Sequence, residues 1–125
     1  MKTKGLRGRD FLAETDFTRE EIETIISVAE ELKRERAMGV YHDDLLRAKT
    51  LFMIFYNSSL RTRNSFEGGM TQLGGHAHFL DTSKIYAPAV EGKEIAYVTE
   101  RVSDVANVLD RMGDGIAIRC YGDPV

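Results

Sequence analysis

The densest run of chemically capable side chains is Ser58, Ser59, Arg61, Thr62 and Arg63, in Phe55-Tyr56-Asn57-Ser58-Ser59-Leu60-Arg61-Thr62-Arg63. Hydroxyls donate to anionic oxygens, and a guanidinium offers a planar fork that meets two oxygens of a phosphate or carboxylate at once. Immediately before them, Thr50 to Tyr56 is almost continuously apolar and aromatic, the pattern of a strand covered on both faces. Arg119 ends another apolar run, Gly115-Ile116-Ala117-Ile118. In open α/β sheets, ligands bind beyond the carboxyl ends of the strands, commonly where a strand turns into a helix. A helix beginning near Leu60 would leave its first amides without intrahelical acceptors and add partial positive charge from the macrodipole. The spacing therefore predicts a site for a small dianion, with Ser59, Arg61 and Thr62 at the turn and Arg119 entering from a second strand end.

Structural roles compete for the same residues. Ser59 reads as an ordinary helix cap. Arg63 reads equally as a partner of Glu67, four residues on, or as a ligand contact. Arg119 is harder to assign to structure alone, because an unpaired buried guanidinium is costly. No G-x-x-x-x-G-K-[ST] loop occurs, so a P-loop is a poor fit. His76 and His78 stand two apart on an expected strand and His42 is remote, and no cysteine or carboxylate spacing completes a metal site around them.

The elements that must position these groups alternate. Thr18 and Glu21 form a capping-box pattern, with Phe17 placed to staple against Ile22, and Ile22, Ile25, Ile26, Ala29 and Leu32 follow at helical spacing up to Gly39. The charged run Glu30 to Arg36 is the solvated face of that helix, with Glu30–Arg34 as an i,i+4 pair. The strand at residues 50–56 leads to a helix from about Leu60, whose expected buried stripe is Phe66, Met70 and Leu73 and whose stop is Gly74. His76 to Asp81 is a second strand, and residues 82–97 read as a long loop. Val98, Val102, Val105, Leu109 and Met112 predict a third helix closed by Gly113, and Gly115 to Cys120 a third strand. Strands alternating with helices imply an α/β fold, mainly a parallel sheet with helices on both faces.

Composition sets the bounds. The 125 residues suit one domain, with 42% hydrophobic and 30% charged residues as in soluble globular proteins. A net charge of −3 argues against a general nucleic-acid binder, and no apolar run is long enough to span a membrane. The basic N-terminus lacks the apolar stretch of a secretory signal. The single cysteine, Cys120, allows no internal disulfide, suits a reducing cytoplasm and is expected to be buried and inert on its apolar strand. Residue chemistry alone thus reaches a phosphate-binding α/β domain and leaves the reaction open.

Ser59-Leu60-Arg61-Thr62-Arg63, lying between an apolar strand and Ser65-Phe66-Glu67, resembles the S-x-R-T-R signature of the aspartate and ornithine carbamoyltransferase family. The resemblance continues through Gln72-Leu73-Gly74-Gly75, the stretch Asp104 to Gly115, and Ile118-Arg119-Cys120-Tyr121-Gly122. The later part is closer to the D-T-A-R-V-L-x-R-M and R-x-Y patterns of the ornithine enzymes.

The resemblance implies that residues 1–125 are a carbamoyl-phosphate-binding domain, an N-terminal fragment lacking the H-P-x-Q segment and the second, amino-acid-binding domain. The implied reaction transfers the carbamoyl group of carbamoyl phosphate to ornithine, giving citrulline and phosphate, in arginine metabolism. The alternatives are aspartate or another amine as acceptor, or a non-catalytic phosphate-binding module. By the same resemblance, Ser59, Arg61 and Thr62 hold the phosphate, and the Leu60 position, threonine in many relatives, adds its backbone amide. Arg119, with Thr62, reaches the carbamoyl oxygen, so Arg61 and Arg119 are the implied catalytic pair. No metal or organic cofactor is implied. The full-length enzyme is expected to be a homotrimer, and the fragment alone is not expected to catalyse. Residues 82–94 run longer than in typical relatives, in a region that crosses to a neighbouring subunit's site. Lys84 and Lys93 are candidates there, although both read first as solvated loop lysines.

Overall fold

The computed structural model describes residues 5–120 and divides into two compact units, Met1–His42 and Asp43–Val125. The first unit is built on α1 (Arg19–Ala37). Its capping box forms as the sequence predicts: Thr18 Oγ1 accepts from the Glu21 amide at 3.2 Å, and Glu21 Oε2 accepts from the Thr18 amide at 2.8 Å. Two first-turn donors are satisfied in this way. Phe17 stacks on Phe11 with centroids 4.8 Å apart and carries the Arg9 guanidinium on its ring at 4.4 Å. The i,i+4 ion pair that forms on α1 is Arg19–Glu23, at 2.7 Å, rather than the expected Glu30–Arg34. Gly39 takes a left-handed φ of 84°, just past the helix end. No helix among the described residues is long and apolar enough to cross a membrane.

The second unit contains β1 (Thr50–Phe55), α2 (Arg61–Gln72), β2 (His76–Leu80), β3 (Ala87–Ala89), β4 (Thr99–Arg101), α3 (Val102–Met112) and β5 (Gly115–Arg119). Its main sheet has the order β2-β1-β5, and both pairings are parallel. As the central strand, β1 is covered on both sides, and Phe52, Met53, Ile54 and Phe55 are all buried. Side chains alternate across a strand. The register therefore puts Phe52, Ile54, Leu80, Ile116 and Ile118 on one face and Met53, Phe55, Phe79, Ala117 and Arg119 on the other. α3 packs on the first face, where Leu109 joins Phe52 and Ile54 in the core with Val105 and Leu80 against it. α2 lies on the second, where Arg63 covers Phe79. The expected α/β parallel sheet is the fold observed.

Three details differ from expectation. Residues 82–97 are not a bare loop: β3 pairs with β4 in a small second parallel sheet, and α3 starts at Val102 instead of Val98. Contacts made by the connecting residues fold this segment back. Arg101 pairs with Glu94 at 2.6 Å and Glu91 at 3.2 Å, and Thr99 Oγ1 accepts from the Ile95 amide at 2.6 Å. Phe66, expected inside the α2 stripe, is 40% exposed, because α2 meets the sheet mainly through β2. Cys120, expected to be buried, is exposed, since it follows the last residue of β5, an edge strand.

Two contacts fix the amino end of the sheet. Gly74 stops α2 with φ 83°, and a Cβ there would lie 1.7 Å from the Asp43 carbonyl oxygen, so only glycine fits. At the same end of the sheet, on the other side of β1, Asp114 receives Lys49 Nζ at 2.6 Å and the Thr50 amide at 2.9 Å, pinning the starts of β1 and β5 together. These bonds, with Lys49 first and the Thr50 amide second, hold the Asp114 carboxyl below the usual aspartate range. A carboxylate whose folded pKa is depressed stabilises the fold above its unfolded value, and that contribution fades as pH falls through the folded value. Asp114→Asn should therefore lower stability at neutral pH and flatten the acid limb of a stability–pH curve measured by urea unfolding. An unchanged acid limb would show that the contact contributes nothing.

Candidate functional site

The backbone ladder between β1 and β5 runs one step beyond β1: Phe55 is in register with Arg119, and the Tyr56 amide donates to the Arg119 carbonyl at 2.9 Å. Residues 57–60 therefore leave the sheet beside Arg119. Leu60 is the N-cap residue of α2, in a helical conformation (φ −82°, ψ −57°), and its side chain makes no capping bond. The Asn64 amide closes the first turn on the Leu60 carbonyl at 3.2 Å. The amides of Arg61, Thr62 and Arg63 precede that bond and face outward from the helix start, where the macrodipole is positive.

The predicted site residues fall as follows. Ser59 is half-buried and does not cap α2, so the competing structural reading of this serine does not hold here. Leu60 is 80% exposed at the lip of the turn. Arg61 is exposed and makes no ion pair among the described residues. Thr62 and Arg119, 57 positions apart in sequence, meet directly: Arg119 Nη1 donates to Thr62 Oγ1 at 3.1 Å. Arg63 takes its structural role, donating from Nε to Glu67 Oε1 at 3.0 Å and lying 3.7 Å from the centroid of Phe79.

Lys84 and Lys93 belong to the segment between β2 and β4. Lys84 follows β2 in a turn closed by its amide on the Asp81 carbonyl at 2.9 Å, and Lys93 sits between Glu91 and Glu94 with its amide on the Val90 carbonyl at 3.1 Å. Phe79 and Phe55 were absent from the sequence-based site, though aromatic residues at two strand ends are the signal that could have pointed to them. An apolar cavity of about 250 Å³ lies on the opposite face of the sheet, lined by Ile54, Tyr56, Leu80, Val105, Leu109 and Ile118 among others. Its lining includes the carboxylate of Glu100 and no lysine, arginine or histidine, which does not suit an anion. The α2 turn, by contrast, combines amides, hydroxyls and guanidiniums around one strand end, suited to a tetrahedral dianion and to polarising a neighbouring carbonyl.

A family model described as the aspartate/ornithine carbamoyltransferase, carbamoyl-P binding domain, matches residues 9–124. The chain belongs to this family. It is 46% identical over 115 residues to the ornithine carbamoyltransferase of Carboxydothermus hydrogenoformans, covering 92% of this chain and 34% of that protein. Among solved structures it is similar to ornithine carbamoyltransferase from Pyrococcus furiosus, with TM-score 0.79, 41% identity, and coverage of 93% of this chain and 34% of that one. It is also similar to acetylornithine transcarbamylase complexed with acetylcitrulline, with TM-score 0.79, 33% identity, and coverage of 92% and 34%. The chain thus spans about a third of the length of the curated relatives it matches.

The resemblance drawn from Ser59 to Arg63 is borne out at the level of the family, and the turn described above lies inside the matched region. The Thr62–Arg119 bond is its most specific contact. A double-mutant cycle of Thr62→Val and Arg119→Gln, read by urea unfolding, should give a coupling of about 1 kcal/mol. Strictly additive effects would show that the 3.1 Å contact does not hold the turn.

Proposed function

We propose that this chain is the carbamoyl-phosphate-binding domain, the N-terminal part, of a cytoplasmic ornithine carbamoyltransferase. The observation that carries the reading is the bond from Arg119 to Thr62 beside an uncapped helix start with Arg61 left open. In this reading the phosphate of carbamoyl phosphate sits on the first amides of α2, with Ser59, Leu60 through its amide, Arg61 and Thr62 around it. Arg119 and Thr62 face the carbamoyl oxygen.

The neutral acceptor amine attacks the carbonyl carbon, a tetrahedral oxyanion forms, phosphate leaves with the C–O bond electrons, and the extra proton on the nitrogen passes to the departing phosphate. Arg119 stabilises the oxyanion and Arg61 the departing phosphate. Because Arg119 is held by Thr62 before reaction, little reorganisation is needed there as charge develops, and such preorganisation is commonly the largest catalytic contribution.

Ornithine as acceptor is supported by the names of the most similar curated relatives. The likeness to acetylornithine transcarbamylase at the same TM-score favours N-acetylornithine as a second reading. The acceptor site and the rest of catalysis would come from the parts of such enzymes outside this chain, assembled as a homotrimer.

Arg61→Ala should weaken carbamoyl phosphate binding roughly tenfold or more, the loss of one charge-assisted hydrogen bond. Arg61→Lys should rescue little, because an ammonium keeps the charge and loses the fork. Calorimetric titration measures both, with circular dichroism confirming the fold. Wild-type affinity in a folded Arg61→Ala variant would contradict the site.

A further inference from the structure

We propose that Arg63 is a positioning residue of the anion site, holding the first turn of α2 in place through Phe79 without touching the anion; this rests on the functional reading above. Its head group is committed twice. Nε donates to Glu67 at 3.0 Å, and Cζ lies 3.7 Å from the Phe79 ring centroid. A guanidinium over an aromatic face is held by the negative charge of the ring's π surface. Phe79 in turn meets Phe55 edge-on, with centroids 5.9 Å apart and planes at 90°, a favoured aromatic geometry. Phe55 is the last residue of β1 and the register partner of Arg119.

The connection at residues 56–60 leaves the sheet at Phe55, and the Arg63–Phe79–Phe55 stack brings its far end back to the same place. The Thr62–Arg119 bond closes the neighbouring side. Two tethers on one face of the sheet, one stacked and one hydrogen-bonded, thus hold the turn that bears Ser59, Arg61 and Thr62. To bind an anion itself, Arg63 would have to leave both Glu67 and Phe79. Asp81, two residues past Phe79, adds a fixed negative charge on that side. Its carboxyl is held below the usual range first by the Ser83 hydroxyl and then by the Ser83 amide, with the charges of Lys84 and Arg63 adding less.

The test uses Phe79→Leu, which removes no charge, Arg63→Lys, which keeps one, and the double variant. Two quantities are read: hydrogen exchange at the Asn64 amide without ligand, and affinity for inorganic phosphate by calorimetry. Each single variant should speed Asn64 exchange and weaken phosphate binding by about threefold to tenfold, the loss of one cation–π contact. The double variant should be no worse than either single, since all three break one stack. Unchanged Asn64 exchange in both single variants would overturn the proposal, as would additive effects in the double. So would weakened phosphate binding in Arg63→Lys with wild-type binding in Phe79→Leu, the pattern of direct contact. If the wild-type chain binds no phosphate, the functional reading above fails, and Asn64 exchange still decides the tether.

Discussion

The pairing of Arg119 with the end of β1 is the constraint on which the rest of the candidate site depends. Its carbonyl extends the parallel ladder to Tyr56, and its guanidinium reaches back to Thr62. One residue therefore fixes both where the chain leaves the sheet and where the next helix begins. Parallel pairing makes this possible, because it brings the carboxyl ends of β1 and β5 to the same edge although many residues separate them. Any slip of one residue in that register would carry Arg119 to the opposite face, away from Thr62.

The two faces of the sheet divide the work. Phe52, Ile54 and Leu109 make the apolar core against α3. The opposite face carries Phe55, Phe79 and Arg119 beneath α2, a mixture of aromatic rings and one cation. A half-buried guanidinium costs desolvation unless its protons are used. The Thr62 hydroxyl takes one of them, and a hydroxyl, unlike a carboxylate, brings no charge of its own. Glu67 brings its carboxylate to Arg63.

Much of this was legible in the residues themselves. The run Phe52 to Phe55 announced a strand buried on both faces, Thr18 and Glu21 announced a helix start, and Gly74 a stop, because each depends on neighbours in sequence. The turn holding Ser59 to Thr62 was legible for the same reason. Features set by distant contacts were not. The β3–β4 pair depends on Arg101 reaching Glu91 and Glu94, and hydrophobic periodicity carries no trace of that. Phe66 and Cys120 show a second limit: an apolar neighbourhood fixes a residue's face, and only the packed fold decides whether anything covers it. The Phe55–Phe79–Arg63 stack was hidden too, since it joins three elements through side chains.

The central claim is that carbamoyl phosphate binds at the junction of β1, β5 and α2. Titrating the isotope-labelled chain with carbamoyl phosphate and following backbone and arginine side-chain resonances tests it most directly. The account predicts saturable shifts concentrated at Ser59 to Thr62 and at Arg119, with the residues lining the apolar cavity unmoved. Shifts centred on that cavity, or none near Arg61 and Arg119 at saturation, would contradict it.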